Sequence, residues 1–237
     1  MAAITAAAMR RDLRGRADSQ IATHSARFFK TGIGEYGEGD RFLGIRVPVL
    51  RKQAARYRLA PLRAVLATLR SPYHEERLFA ILLLVEQYER GDAETRERVF
   101  TFYLDHRAWV NNWDLVDSSA YKIIGPYLQD KSRDLLYELA RSQILWDRRI
   151  AMIASLHYIR QHDFTDALRL AQILRNDEHD LMHKAVGWML REIGKRDLPA
   201  EEDFLQANYR QMPRTMLRYA IERLPARRRK AYLHGSV

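Results

Sequence analysis

Two short segments of this 237-residue chain carry side chains able to act on a substrate. In the first, Trp109-Val110-Asn111-Asn112-Trp113-Asp114-Leu115-Val116-Asp117-Ser118-Ser119, Trp113 and Asp117 are four residues apart and share one face of a helix. Asp114, at the helix start, is accounted for as a cap or as a charge favourable to the helix dipole. Asp117 lies a full turn further in and is not. In the second segment, Lys184, Trp188, Arg191 and Lys195 form one stripe of a helix over residues 181–195, opposite Ala185, Val186, Met189, Leu190 and Ile193. An aromatic ring flanked by cations suits a phosphate backbone together with a base or sugar face. It also suits a tryptophan packed under the aliphatic stems of its basic neighbours.

A carboxylate on a surface built for phosphates is repelled by them unless it has a task. One such task is stabilising positive charge on the nucleic acid. Breaking an N-glycosidic bond develops oxocarbenium character at the sugar C1′, and a nearby carboxylate lowers that barrier or orients a water for attack. A base that is already cationic, such as an N3- or N7-alkylpurine, needs no acid to leave, and Trp113 and Trp188 can hold such a nucleotide by cation–π contact. The alternative is that Asp117 pairs with a basic residue of a neighbouring helix and is structural. Other chemistries have less support. The histidines, including His179 and His183, lack a metal-binding pattern, and there is no phosphate-cradling loop or nucleophile elbow. Neither a metal nor a cofactor is expected.

The elements that must position these residues are helices. Apolar residues recur at three- and four-residue spacing, and no stretch alternates with period two, so no sheet is expected. The one substantial loop is Thr31–Asp40, because five of the 11 glycines fall between Gly32 and Gly44. Helices beginning near His74, Asn112, Asp147, Met182 and Pro213 recur about every 31 to 38 residues. Partner helices are expected over Ala93–Asp105, Ser132–Arg141 and Thr165–Leu174. Toward the C-terminus Arg210, Arg214 and Arg218 recur every four residues, which reads as a linear basic track along one helix. The pattern predicts an all-α HEAT-like helical repeat solenoid, a single domain over residues 1–237, with a concave basic face.

Composition narrows the partner. Forty Lys and Arg against 30 Asp and Glu give a net charge of +10, which favours a polyanion. The absence of cysteine removes thiolate chemistry and thiolate-bound metals, and it suits a reducing cytoplasm. No run approaches the roughly 20 apolar residues of a membrane span, and the N-terminus does not read as a secretory signal.

At these residues the sequence resembles a known family, the HEAT-like-repeat alkylpurine DNA glycosylases (the AlkD type of DNA alkylation repair enzyme). The strings that carry the resemblance are Phe42-Leu43-Gly44-Ile45-Arg46-Val47-Pro48, Asn112-Trp113-Asp114-Leu115-Val116-Asp117, Leu145-Trp146-Asp147-Arg148-Arg149 and Lys184-Ala185-Val186-Gly187-Trp188-Met189-Leu190-Arg191-Glu192. They run in family order over about residues 20 to 230. The resemblance implies a solenoid that wraps duplex DNA and, without metal or cofactor, excises cationic bases such as 3-methyladenine and 7-methylguanine. It implies a catalytic cleft of Trp113, Trp188 and Asp117, with Arg149 or the adjacent Arg148 as the cleft arginine. It further implies that the damaged base is not drawn into a protein pocket. Lys184, Arg191, Arg214 and Arg218 are then expected on the DNA backbone, with Arg46 of the first string and Lys30 beside the glycine-rich loop. Some family members carry a second tryptophan where this chain has Asn112. A monomer is the natural state of such a binder. Two other readings are a non-catalytic binder of distorted or branched DNA and a HEAT-type protein-interaction scaffold.

Overall fold

Most helices of this chain begin where a side chain or a proline is ready to start them. In the computed structural model, which describes residues 3–237, α1 (Ala6–Arg14) follows Thr5, whose hydroxyl accepts from the N–H of Ala8. Helix α2 (Ser19–Phe28) follows Asp18, whose carboxylate accepts from Gln20 and Ile21. Helix α3 (Val47–Arg56) carries Pro48 in its first turn, α4 (Leu62–Leu69) follows Pro61, and α6 (Ala93–Asp105) is capped by Asp92. Between them, α5 (His74–Arg90) is buried continuously from His74 to Val85. Helix α7 is Trp113–Tyr127. There follow α8 (Asp134–Ala140), α9 (Leu145–Ala154), α10 (Leu156–Ile159), α11 (Thr165–Leu174), α12 (Asp180–Gly194), α13 (Leu198–Asn208), α14 (Arg214–Ala220) and α15 (Ala226–His234). Among the described residues there is no strand, only an isolated bridge between Arg41 and Tyr73. None of the described helices is long and apolar enough to cross a membrane.

The chain divides into two compact units, Met1–Ile123 and Ile124–Val237. In the first, α5 is the centre: α3, α4 and α6 all pack on it, and α1 packs on α4. In the second, α12 takes that role and contacts α9, α11, α13 and α14. Its buried side is Met182, Ala185, Val186, Gly187, Met189, Leu190 and Ile193, the side opposite the Lys184–Trp188 stripe. The expected recurrence is present, with α5, α7, α9, α12 and α14 starting at residues 74, 113, 145, 180 and 214. The partner helices over Ala93–Asp105 and Thr165–Leu174 have the expected bounds.

Within the second unit, polar bonds fasten one repeat to the next. Arg133 donates to Asp163 at 2.7 Å and to Asp166 at 2.5 Å, across 30 and 33 residues, with its guanidinium over the Tyr158 ring. Arg148 Nε donates to Asp177 at 2.6 Å, and Arg175 donates to Asn208 at 2.6 Å. Such charge-assisted bonds are strong, and truncating one partner strands a part-buried charge.

The basic track expected along one C-terminal helix is not there. Helix α13 ends at Asn208, a turn containing Pro213 intervenes, and α14 starts at Arg214, because proline has no N–H to continue a helix. Arg210 therefore lies in the turn, beside the Tyr209 hydroxyl at 3.0 Å, while Arg214 and Arg218 lie on α14.

Gly187 lets α12 approach α14. A Cβ there would overlap the Met216 carbonyl oxygen and lie 2.6 Å from Cβ of Tyr219. Gly187→Ala gains about 1 kcal/mol of helix propensity and meets backbone that cannot yield. Overpacking of about 1–3 kcal/mol should outweigh that gain. Thermal unfolding should show a lower Tm for the variant; a higher Tm would mean that α14 slides without cost.

Candidate nucleic-acid interface

In the first unit, the start of α7 is set by its neighbours. Asn112 is fully buried; its Oδ1 accepts from the N–H of Trp113 at 2.8 Å and its Nδ2 donates to Asp40 at 3.3 Å. Asp114 does more than favour the helix dipole, because its Oδ2 meets His74 Nε2 at 2.8 Å. The ring of Trp113 stacks on Phe29, with centroids 5.3 Å apart at 16°, and takes the edge of Phe28 at 5.9 Å. Phe29 in turn stacks on Phe42, and both lie against the His74 ring at 4.6 and 4.9 Å. Trp113 and Asp117 are half-buried on α7, whereas Phe28 is 59% exposed beside them.

That arrangement rests on four consecutive buried side chains, His74, Glu75, Glu76 and Arg77. His74 Nδ1 meets Asp40 at 3.0 Å, and Arg77 reaches the other oxygen of Asp40 at 2.5 Å. Glu75 accepts from the N–H groups of Leu43, Gly44 and Ile45 at 2.9, 2.7 and 3.3 Å. Glu76 takes Arg14 at 2.7 Å, Arg10 at 3.3 Å and the Ser71 hydroxyl at 2.5 Å. Gly44 sits at φ +78°, and a Cβ there would lie 2.6 Å from the Ala22 nitrogen, so only glycine threads this loop past α2. Burial works against a charged His74, but the charge and hydrogen bond of Asp114 and the bond to Asp40 outweigh it and push the imidazole up to about 9. Burial likewise works to raise Asp40, and the bond from His74 and the charge of Arg77 bring it below its ordinary value.

The second unit holds the other expected residues. Trp188 is half-buried, and its Nε1 donates to Glu192 at 3.2 Å. The cations of its stripe are ion-paired: Lys184 with Asp180 at 2.8 Å, Arg191 with Glu222, and Lys195 with Glu192 at 2.5 Å. Burial works to raise Glu192, but the bonds from Lys195 and Arg196 prevail and hold its carboxyl below its ordinary value. Arg149 is buried and donates to the Leu181 carbonyl at 2.6 Å, which ties α9 to the start of α12. Its neighbour Arg148 turns instead to Asp177 and to the carbonyls of Ser142 and Gln143. His179 is a cap, its Nδ1 accepting from the N–H of Leu181. Arg214 is exposed and donates to the Leu233 carbonyl at 2.8 Å, and Arg218 is exposed on the same helix.

The structure therefore groups Trp113 with Asp117 in the first unit, and Arg149, Lys184, Trp188, Arg191, Arg214 and Arg218 on three packed helices in the second. Lys30 and Arg46 are exposed in the first unit, Lys30 at φ +51° directly after Phe28 and Phe29. The sequence reading missed Phe28, Phe29 and His74. The adjacent phenylalanines ahead of the loop were a usable signal. The His74 bridge had none, since its partners lie 34 and 40 residues away.

A family model described as DNA alkylation repair enzyme matches residues 9–224 of the chain. Among solved structures, the fold is similar to that of a predicted DNA alkylation repair enzyme from Enterococcus faecalis. That likeness has a TM-score of 0.69 and 19% identity, and covers 89% of this chain and 98% of the other. No curated protein matches the sequence.

The raised imidazole has a stability consequence of fixed sign. The native state keeps a proton that the unfolded chain loses at its ordinary value of 6.5, so the bridge contributes fully below pH 6.5 and its contribution fades as pH rises through about 9. Glu201, buried beside Glu202 and pushed up from 4.5 to about 8, also costs stability progressively as pH rises between those values, so the comparison must be a difference. The Tm gap between wild type and His74→Gln should be widest at pH 6 and should narrow by pH 9.5. A gap that stays constant with pH would mean that His74 is neutral in the native state.

Proposed function

Because the chain belongs to the DNA alkylation repair enzyme family, we propose that it is a DNA glycosylase releasing cationic alkylated purines, N3-alkyladenine and N7-alkylguanine, from duplex DNA. The observation that carries this reading is Asp117, a half-buried carboxylate one turn along α7 from a stacked tryptophan, in a protein of net charge +10. A carboxylate in such a basic chain has little use in gripping phosphates and much use beside a sugar that becomes cationic.

In this reading the bond between C1′ and the purine nitrogen breaks, and its electron pair leaves with the base, which departs neutral because it began cationic. Asp117 stabilises the positive charge left on the sugar. Water then adds at C1′ and gives up its proton, with Asp117 orienting it, and an abasic site remains for the rest of base excision repair. Trp113 and Trp188 hold the lesion nucleotide through their π faces, and the exposed ring of Phe28 extends the aromatic wall beside Trp113. Arg149, Arg148, Lys184, Arg191, Arg214, Arg218, Arg46 and Lys30 serve the backbone. Several of these cations already hold carboxylates. For Lys184, whose partner Asp180 is half-exposed, binding exchanges one anion for another. We place the protein in the cytoplasm as a monomer, without metal or cofactor.

Release of free base from methylated duplex DNA tests the proposal, with Asp117→Asn alongside and both proteins checked by circular dichroism. The variant should lose about 10²–10³-fold in rate while keeping its affinity for duplex. Full activity in a folded Asp117→Asn protein removes the role given to that carboxylate. Duplex binding without release by wild type would make the chain a non-catalytic binder of distorted DNA. Weak, salt-insensitive binding would make it a protein-interaction scaffold.

A further inference from the structure

We propose that His74 is a positioning residue for excision: by bridging Asp40 and Asp114 from inside the core, it fixes the first turn of α7 and the aromatic stack that carries Trp113, and so aims Trp113 and Asp117. The consequence for activity rests on the glycosylase reading; the bridge itself does not.

The geometry requires a charged ring. Nδ1 meets Asp40 at 3.0 Å and Nε2 meets Asp114 at 2.8 Å, and ionised carboxylates only accept, so both nitrogens must donate. A neutral imidazole donates from one nitrogen and turns a lone pair toward the other carboxylate. Asp114 depends on this bond, since its second oxygen is buried without a hydrogen-bond partner. Asp114 follows Trp113 directly and precedes Asp117 by three residues, so both lie within one turn of the anchored side chain. The same ring supports Trp113 through Phe29, which packs on His74 and stacks on Trp113.

The groups facing His74 are Asp40 from the loop before α3, Asp114 from α7 and Arg77 from its own helix, with the Asn112 amide on Asp40. Arg77 disfavours the second positive charge and the two aspartates impose it. A buried ion network of this kind adds little net stability over an apolar core. It defines geometry instead: three separate segments reach their places only when one ring holds both carboxylates. The imidazole's rise to about 9 follows from the same contacts and makes the bridge breakable in mild alkali.

The test combines His74→Gln, Asp114→Asn and the double variant, each checked by far-ultraviolet circular dichroism. Single-turnover base release, affinity for undamaged duplex and the near-ultraviolet signal of Trp113 are measured, with Trp113→Phe assigning that signal. A misaimed site should lose about 10–100-fold in release rate, with duplex affinity changed less than twofold. Because both residues act through one bond, the double variant should be no slower than the worse single one. The wild-type rate and Trp113 signal should change together above about pH 9, and His74→Gln should lose both changes.

A folded His74→Gln protein with the wild-type rate overturns the proposal, as does a loss matched by lost duplex affinity or multiplicative single effects. If His74→Gln does not fold, Asp114→Asn decides alone by the same criteria. If wild type releases no base, the glycosylase reading fails and the Trp113 signal decides the bridge: unchanged in both variants, it overturns positioning; altered in both, it supports it.

Discussion

Four consecutive charged side chains at the start of α5, His74 to Arg77, are buried, and the rest of the first unit is arranged around the need to compensate them. An unpaired buried charge is costly enough that it either neutralises or forces its surroundings to supply a partner. Here every one is supplied, and from different parts of the chain: α1 sends Arg10 and Arg14, the glycine-rich segment sends Asp40 and three backbone N–H groups, and α7 sends Asp114. Apolar burial alone would have left α1, the segment before α3 and α7 some freedom to slide against the start of α5. The charges remove that freedom, because a hydrogen bond to a carboxylate tolerates tenths of an ångström and a dispersion contact tolerates more.

The second unit uses the same means in a more regular way. There each repeat offers an arginine to an acid or amide one repeat later, and Gly187 lets α12 and α14 meet closely enough to bury the apolar side of α12. The stripe left over holds Trp188 among cations that are balanced within the protein by Asp180, Glu192 and Glu222. The stripe is therefore locally neutralised, which favours contacts that can be exchanged over a field of bare charge.

Helical periodicity was the legible part of this sequence. The apolar side of α12 and the bounds of α6 and α11 followed from three- and four-residue spacing, because local hydrophobic pattern decides them. Spacing failed where it was read without its breaker: Arg210, Arg214 and Arg218 share a period, but Pro213 stands among them. Trp113 and Asp117 could be singled out because both lie on one helix and their chemistry is unusual there. What held them could not. His74 had no local signature, since an imidazole reads alike whether it faces solvent or two buried carboxylates, and the partners that settle the matter are brought in by tertiary packing. The ion pairing of Arg148 with Asp177 was hidden for the same reason.

The polar fasteners between repeats also say something about how the chain is made. Those of the second unit, and the three backbone bonds to Glu75, span only about 29 to 33 residues. Contacts at one constant, modest separation cost little loop-closure entropy and keep contact order low. During synthesis each repeat can be fastened as soon as its successor has emerged, with no need to wait for a distant terminus. The charged start of α5 is the exception, for its circuit closes only when Asp114 arrives, 40 residues later. Until then the imidazole lacks one of its two carboxylates, whereas Glu75, Glu76 and Arg77 draw their partners from earlier in the chain, so the first unit completes its buried circuit only when α7 emerges.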